Sequence, residues 1–386
     1  MLRGLVAAFA VCALALTGAF SAADGANRAG PAELLVRFEP GARQSEALAS
    51  VGATLVERLP LRGLVRVRLE SGASAAAADA ALERRSDVAY AEPNALYDLY
   101  ATPDDPNFPD LWGMAKIGAP AAWDSTTGSD SVTVAVVDSG VDYTHPDLAA
   151  NIWSNADETP ANGLDDDANG FADDVRGWDF YSGDADPQDL LGHGTHVAGT
   201  VGARGNNATD VAGVNWRVKL MPLRVGDQQL TLSAIVGGFA YACANGARVI
   251  NGSFGGTGHD AMRDAIVACP NALFIFAAGN EAHNNDAMPT YPCSYPLANV
   301  VCVAATGADD TRAWFSNWGA VSVDLAAPGT NILSTVPADQ LDYYDGTSMA
   351  APHVAGAAAL VLAARPQLTT AELRNALLLS VDPKPS

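Results

Sequence analysis

Residues 132–140 read Val-Thr-Val-Ala-Val-Val-Asp-Ser-Gly, and the fold turns on this stretch. Residues 132–137 are apolar or β-branched with no polar alternation, the pattern of a strand buried on both faces. Asp138 follows directly, and Gly140 lets the chain turn sharply so that the carboxylate faces out at the strand's carboxyl end. Runs of the same kind recur at 218–222, 248–251, 273–277 and 300–304, separated by helical stretches such as 232–244 and 260–268. Such alternation specifies a mostly parallel sheet covered on both sides, a doubly wound α/β body from residue 101 to 386. In these sheets chemistry gathers just past the strand ends.

Upstream, strands at 33–38, 54–59, 64–69 and 88–92 and helical stretches from about 42 and at 75–84 make β-α-β-β-α-β. That is a small split-βαβ (ferredoxin-like, α+β) domain over 32–100 without site chemistry of its own. Thr-Pro-Asp-Asp-Pro-Asn-Phe-Pro (102–109) reads as the linker. At the start, Arg3 precedes an apolar run from 5 to 19 and small residues through Ala23. This predicts a secretory signal peptide over 1–23, cleaved near Ser21 or Ala23, and hence an extracellular protein with no membrane attachment afterwards. No later segment reads as long and apolar enough to span a bilayer. Cys12 leaves with the leader; Cys243, Cys269, Cys293 and Cys302 remain, and of their three pairings Cys293–Cys302 and Cys243–Cys269 are favoured. A net charge of −22 excludes nucleic acid as a partner.

Leu-Gly-His-Gly-Thr-His-Val-Ala-Gly-Thr (191–200) puts His193 at the start of a small-residue helix, with Gly192 and Gly194 leaving space around the imidazole. His196 keeps a metal reading open. Asp-Gly-Thr-Ser-Met-Ala-Ala-Pro-His-Val-Ala-Gly (345–356) puts Ser348 at the mouth of a long helix so apolar that it must be central and buried. A serine there is commonly an N-cap. The N–H groups and dipole at that end would also stabilise an oxyanion. A serine hydroxyl needs a base, and the imidazole needs a carboxylate to fix its tautomer; Asp138, His193 and Ser348 supply the three parts.

Residues 165–174, Asp-Asp-Asp-Ala-Asn-Gly-Phe-Ala-Asp-Asp, place hard oxygen donors at alternate positions with a glycine at the turn, as a calcium loop requires. Asp165, Asp167 and Asn169 are the expected ligands, with the Phe171 carbonyl and Asp173 or Asp174 completing the shell. Arg176 stands where an EF-hand has its bidentate glutamate, so the loop is of another kind. A solvated acidic loop is the alternative.

The three blocks, in the order Asp, His, Ser, resemble the signature blocks of the subtilisin family of serine proteases from about residue 107 to the end. Chymotrypsin and the α/β-hydrolases order these residues differently, and no Gly-x-Ser-x-Gly elbow is present to support a lipase-like esterase. The resemblance implies a secreted endopeptidase, expected to be monomeric, that cleaves polypeptides through an acyl-enzyme. It implies that Asn280, in Phe-Ala-Ala-Gly-Asn, donates to the oxyanion. Ser253, Phe254 and Gly255 would pair with extended substrate, and Phe254, Ala278 and Gly279 would wall the pocket for the residue before the scissile bond. Tyr291–Pro292 falls where the family often has a cis peptide, and Asp147 where it often binds a second structural calcium. The small domain, whose residues 88–94 resemble the last propeptide strand, would be an intramolecular chaperone and inhibitor. Self-cleavage at Tyr100–Ala101 would put Tyr100 in the specificity pocket and predicts a preference for large apolar or aromatic residues there. The resemblance also implies a further C-terminal segment beyond a helix at 370–380. The rival reading from another class is a catalytically inactive, calcium-stabilised binding module.

Overall fold

The computed structural model describes residues 5–9, 33–94 and 101–383; Cys12, the leader cleavage positions Ser21 and Ala23, Tyr100 and the last three residues lie outside them. The chain divides into two compact units, Ala15–Leu99 and Tyr100–Ser386, the second including Met1–Leu14 with strand β1 (Leu5–Phe9).

In the first unit, β2 (Glu33–Phe38), β3 (Ala53–Arg58), β4 (Leu64–Leu69) and β5 (Val88–Pro93) form an antiparallel sheet in the order β3-β4-β2-β5. Leu34, Val36 and Phe38 alternate inward on β2 and meet Ala47 and Leu48 of the helix Gln44–Ala49 and Ala78 and Leu82 of the helix Ala75–Glu83. A period of two buries one face of the sheet under both helices. The β-α-β-β-α-β reading holds.

The second unit is built on seven parallel strands, β6 (Gly128–Asp138), β7 (Trp178–Asp179), β8 (Arg217–Arg224), β9 (Val249–Gly252), β10 (Leu273–Ala277), β11 (Val300–Thr306) and β12 (Leu325–Pro328), in the order β12-β11-β10-β9-β6-β8-β7. All five strands read from the sequence are present. Val134 and Val136 of β6 pack on the side of the helices His193–Gly202 and Thr347–Ala364, whereas Ala135 and Val137 face the helices Leu232–Ala244 and Asp260–Val267. Burial on both faces is why these strands show no polar alternation. The 18-residue helix Thr347–Ala364 corrects one expectation, because by length and composition it is apolar enough to cross a membrane. Here most of it is buried in the core.

Connections run from β6 towards β8 and β7 on one side and towards β9–β12 on the other, so the switch point lies beside β6. The register Val136↔Asn251 and Val137↔Gly252 brings the carboxyl ends of β6 and β9 together, and with them Asp138 and Ser253. A hairpin of β13 (Ile332–Val336) and β14 (Gln340–Tyr344) leads into the Ser348 helix, and β15 (Val381–Pro383) closes the unit antiparallel to β1. Both favoured disulfides, Cys243–Cys269 and Cys293–Cys302, are formed.

Candidate active site

β6 delivers Asp138 into a turn whose shape depends on glycine. Gly140 has φ +101°, and a Cβ there would stand 2.6 Å from the Pro187 carbonyl oxygen. His193 opens its helix behind Gly192, also left-handed at φ +100°. A Cβ on Gly194 would fall 2.0 Å from the Gly140 oxygen and 3.0 Å from Asp138 Cβ, so the bare glycine is what lets the two turns approach. The result is a His193 Nδ1 to Asp138 Oδ1 hydrogen bond of 2.7 Å, with the carboxylate 6% and the imidazole 30% exposed. With Nδ1 donating to the buried carboxylate, Nε2 is left as the basic nitrogen. Burial pushes the imidazole pKa down, but the charge and hydrogen bond of Asp138, with the charge of Asp189, outweigh it and hold the pKa above the ordinary histidine value.

Ser348 sits in the first turn of its helix, where N–H groups have no intrahelical acceptor. Its hydroxyl donates to the Ser253 carbonyl at 3.1 Å, and the Ser253 hydroxyl donates to the Ser348 carbonyl at 2.9 Å. Pro352 accounts for the second bond: it has no N–H to offer the carbonyl four residues back, which is that of Ser348. The serine turn is thereby stapled to the segment after β9.

Thr347, fully buried, fixes Asn280. Its backbone N–H (2.9 Å) and hydroxyl (2.8 Å) both donate to Asn280 Oδ1, while the hydroxyl accepts the Gly279 N–H at 3.1 Å. With Oδ1 engaged twice, Nδ2 turns the other way. A Cβ placed on Gly346 would lie 3.5 Å from the Ser348 nitrogen and 3.6 Å from Asn280 Nδ2, so the two nitrogens border one small space beside the serine.

Along the expected substrate edge, Gly255 is exposed and Gly256 exchanges both backbone bonds with Tyr291 (2.8 and 2.9 Å). The Tyr291–Pro292 peptide is cis. Phe254 stacks on Phe239 and packs tilted against Phe276, and is therefore also a core aromatic. Behind Ala278 and Gly279, the buried amides of Asn285 (2.9 Å) and Asn317 (3.1 Å) both donate to the Ala278 carbonyl. Neither asparagine carried a sequence signal, since only the fold brings Asn317, 39 residues on, and Asn285 to the same carbonyl. His196 bonds the Ile332 carbonyl at 2.9 Å and stacks on Tyr344, and burial holds it down at about 4. It is a neutral core histidine rather than a metal ligand.

In the acidic loop, Asp165 and Asp167 come together with Glu158, one oxygen of each lying within 4.8 Å of the others. Glu158 was missed because it precedes the recognisable spacing. The other expected side-chain ligands share one hydrogen-bond network with these three acids. Asn169 donates to Asp167 and Asp174 while its oxygen accepts the Phe171 N–H, and Asp173 accepts the N–H groups of Asn162 and Gly163. Asp174 is buried beneath the Tyr241 hydroxyl at 2.6 Å, and Phe171 packs its ring on Trp178 and Tyr241. Clustered hard oxygens suit a divalent cation. Asp147 lies elsewhere, wholly buried, with Asn207 and Val211 donating to it. Burial pushes its carboxyl up to about 7, and the nearby charges of Asp210 and Asp105 push the same way.

Comparison with known proteins agrees with this architecture. A model of the subtilase family matches residues 129–385, and a model of the fervidolysin N-terminal prodomain matches residues 21–94. The thermophilic serine proteinase of Bacillus sp. strain AK1 is 37% identical over 85% of this chain and 77% of its own length. Thermitase of Thermoactinomyces vulgaris is 39% identical over 67% of this chain and 85% of its own. A solved protease structure from Pseudoalteromonas arctica superposes with a TM-score of 0.60 at 34% identity, covering 71% of this chain and 91% of that one.

Proposed function

This chain belongs to the subtilase family of serine proteases, made with an N-terminal prodomain, and on that premise we propose that Asp138, His193 and Ser348 are its catalytic triad. The 2.7 Å bond that orients His193 on buried Asp138 carries the reading. Ser348 Oγ attacks the scissile carbonyl while His193 Nε2 takes its proton. The resulting imidazolium is stabilised by Asp138, and the oxyanion is held by Asn280 Nδ2 and the Ser348 N–H at the amino end of the helix. His193 then gives its proton to the leaving amine, and water, activated the same way, releases the acyl-enzyme. In the resting state Ser348 is parked on the Ser253 carbonyl; productive alignment with the base tightens when substrate binds.

The protein is secreted under its leader and acts outside the cell on polypeptides paired along residues 253–255. The prodomain restrains it until the chain cuts itself at Tyr100–Ala101. Calcium stabilises the folded enzyme at Glu158, Asp165 and Asp167, where it would neutralise three carboxylates that no lysine or arginine pairs with among the described residues. A second calcium suits Asp147 and Asp105, which are 0% and 3% exposed and share the loop carrying Asn206 and Asn207. Two adjacent buried carboxyls require a proton or a cation.

Ser348→Ala and His193→Ala are each expected to abolish peptide hydrolysis in correctly folded protein, and the double variant to cost little more than either, because the triad acts as a unit. A fluorophosphonate should label Ser348 in the processed wild type. Absence of labelling in folded, processed protein would favour the inactive binding module instead.

A further inference from the structure

Four residues before His193, Asp189 is 1% exposed and pairs with no lysine or arginine among the described residues. Its two oxygens accept five bonds. Oδ1 takes the N–H groups of Leu191 and Gly192, each at 2.9 Å, and the Ser139 hydroxyl at 3.0 Å. Oδ2 takes the Thr195 N–H at 2.9 Å and hydroxyl at 2.6 Å. These donors come from two places, the entry and first turn of the His193 helix and the turn after Asp138. Ser139 joins them: its hydroxyl accepts the Gly194 N–H at 3.0 Å, and its own N–H donates to Asp138 Oδ1 at 2.8 Å. A neutral side chain would suffice to cap a helix. A buried full charge is costly, and here it is retained where it binds both halves of the Asp138–His193 pair.

We propose that Asp189 is a positioning residue of the catalytic centre, locking the Asp138 turn to the His193 helix and adding a second negative charge that favours the imidazolium. This rests on the triad reading. Around that imidazole stand Asp138 from the end of β6, Asp189 from the preceding loop and neutral His196 on the same helix, while from β14 the Tyr344 hydroxyl, itself near Asp342, lies against the neighbouring Gly192. Of these, Asp138 and Asp189 are the anions that raise the His193 pKa.

The test is the pH dependence of kcat and KM on a peptide anilide, with active sites titrated by a fluorophosphonate. Asp189→Asn keeps the size of the side chain but removes the charge and the acceptor for Thr195. It should lower kcat on the order of ten- to a hundredfold, leave KM within about twofold, and move the acid-limb midpoint to lower pH by roughly half a unit. Ser139→Ala, which keeps the charge, should lower kcat and leave the midpoint in place. Asp186→Asn removes an exposed, solvent-screened carboxylate and should change neither. A carboxylate that merely holds the fold would cost melting temperature and active fraction without moving the midpoint, and that result overturns the proposal. If Asp189→Asn does not accumulate as folded protein, Ser139→Ala decides, and an unchanged kcat per titrated site rejects the link. Residual activity in Ser348→Ala would instead sink the triad reading, whereas an inactive Ser348→Ala beside a wild-type-like Asp189→Asn rejects this proposal alone.

Discussion

Thr347 bears on the proposed oxyanion site at one remove, since its backbone N–H and its buried hydroxyl each hold Asn280 Oδ1 and leave the amide nitrogen facing the space beside Ser348. Removing the amide donor itself, in Asn280→Ala, should lower kcat on the order of 10²- to 10³-fold with little change in KM. Thr347→Val keeps the volume and the backbone bond, so a smaller loss, on the order of tenfold in kcat, is expected; equal losses would mean that Thr347 does more than orient Asn280. His193 must be neutral to act as a base, and its pKa is raised above 6.5. Activity should therefore fall as pH drops through a midpoint above 6.5, which a pH profile of kcat/KM measures directly. At this scale the sequence was legible where chemistry and local spacing coincide. Asp138, His193 and Ser348 each stand in a stretch whose glycines and small residues announce a tight site. Asp189, Thr347 and Asn317 were not legible, because what defines each is a partner brought from 36 to 68 residues away.

The elements reach the site by close approach more than by side-chain reach. Gly194→Ala would drive a methyl against the Gly140 carbonyl, 2.0 Å from its ideal position, and wedge the His193 helix away from the Asp138 turn. Activity should fall by about two orders of magnitude or more while the sheet core survives, so near-native circular dichroism with lost turnover is the expected pair of results. The acidic loop has a separate role. A cation bound only by the native state stabilises by mass action, so chelation should shorten the half-life of the mature enzyme at elevated temperature without changing initial kcat. Glu158→Gln and Asp167→Ala should abolish that calcium dependence; if both left it intact, the loop would not be the site. Among the strands, β7 has only two residues and β12 reads Leu-Ala-Ala-Pro, too short and too weakly β-branched to show a period. Pairing with β8 and β11 makes them strands, and sequence periodicity does not record pairing. The acidic loop was recognisable for the same reason in reverse: the spacing of its carboxylates is local, apart from Glu158.

The whole molecule presents a folding problem that the small unit is suited to solve. β6 pairs with β8 and β9, so Val134 aligns with Leu220 and Val249, and the centre of the sheet closes only after long loops are brought together. Non-local parallel pairing is slow because loop closure precedes any stabilising contact. The first unit, in contrast, closes its whole sheet within residues 33–93, with β3 and β4 a direct hairpin, and has its own core, so it can form first. This predicts that residues 101–386 refolded alone yield little active enzyme, and that adding residues 24–100 in trans raises the yield at least tenfold, read as fluorophosphonate-reactive sites. The covalent prediction is sharper. Wild-type protein should begin near Ala101, whereas Ser348→Ala, lacking the nucleophile, should keep the first unit attached and remain folded. Mass spectrometry of both proteins, made in a host without secreted proteases, separates the outcomes. Normal cleavage near Ala101 in Ser348→Ala would show that another protease does the processing. Full activity in wild type that still carries the first unit covalently would show that the unit does not restrain the enzyme, whatever it contributes to folding.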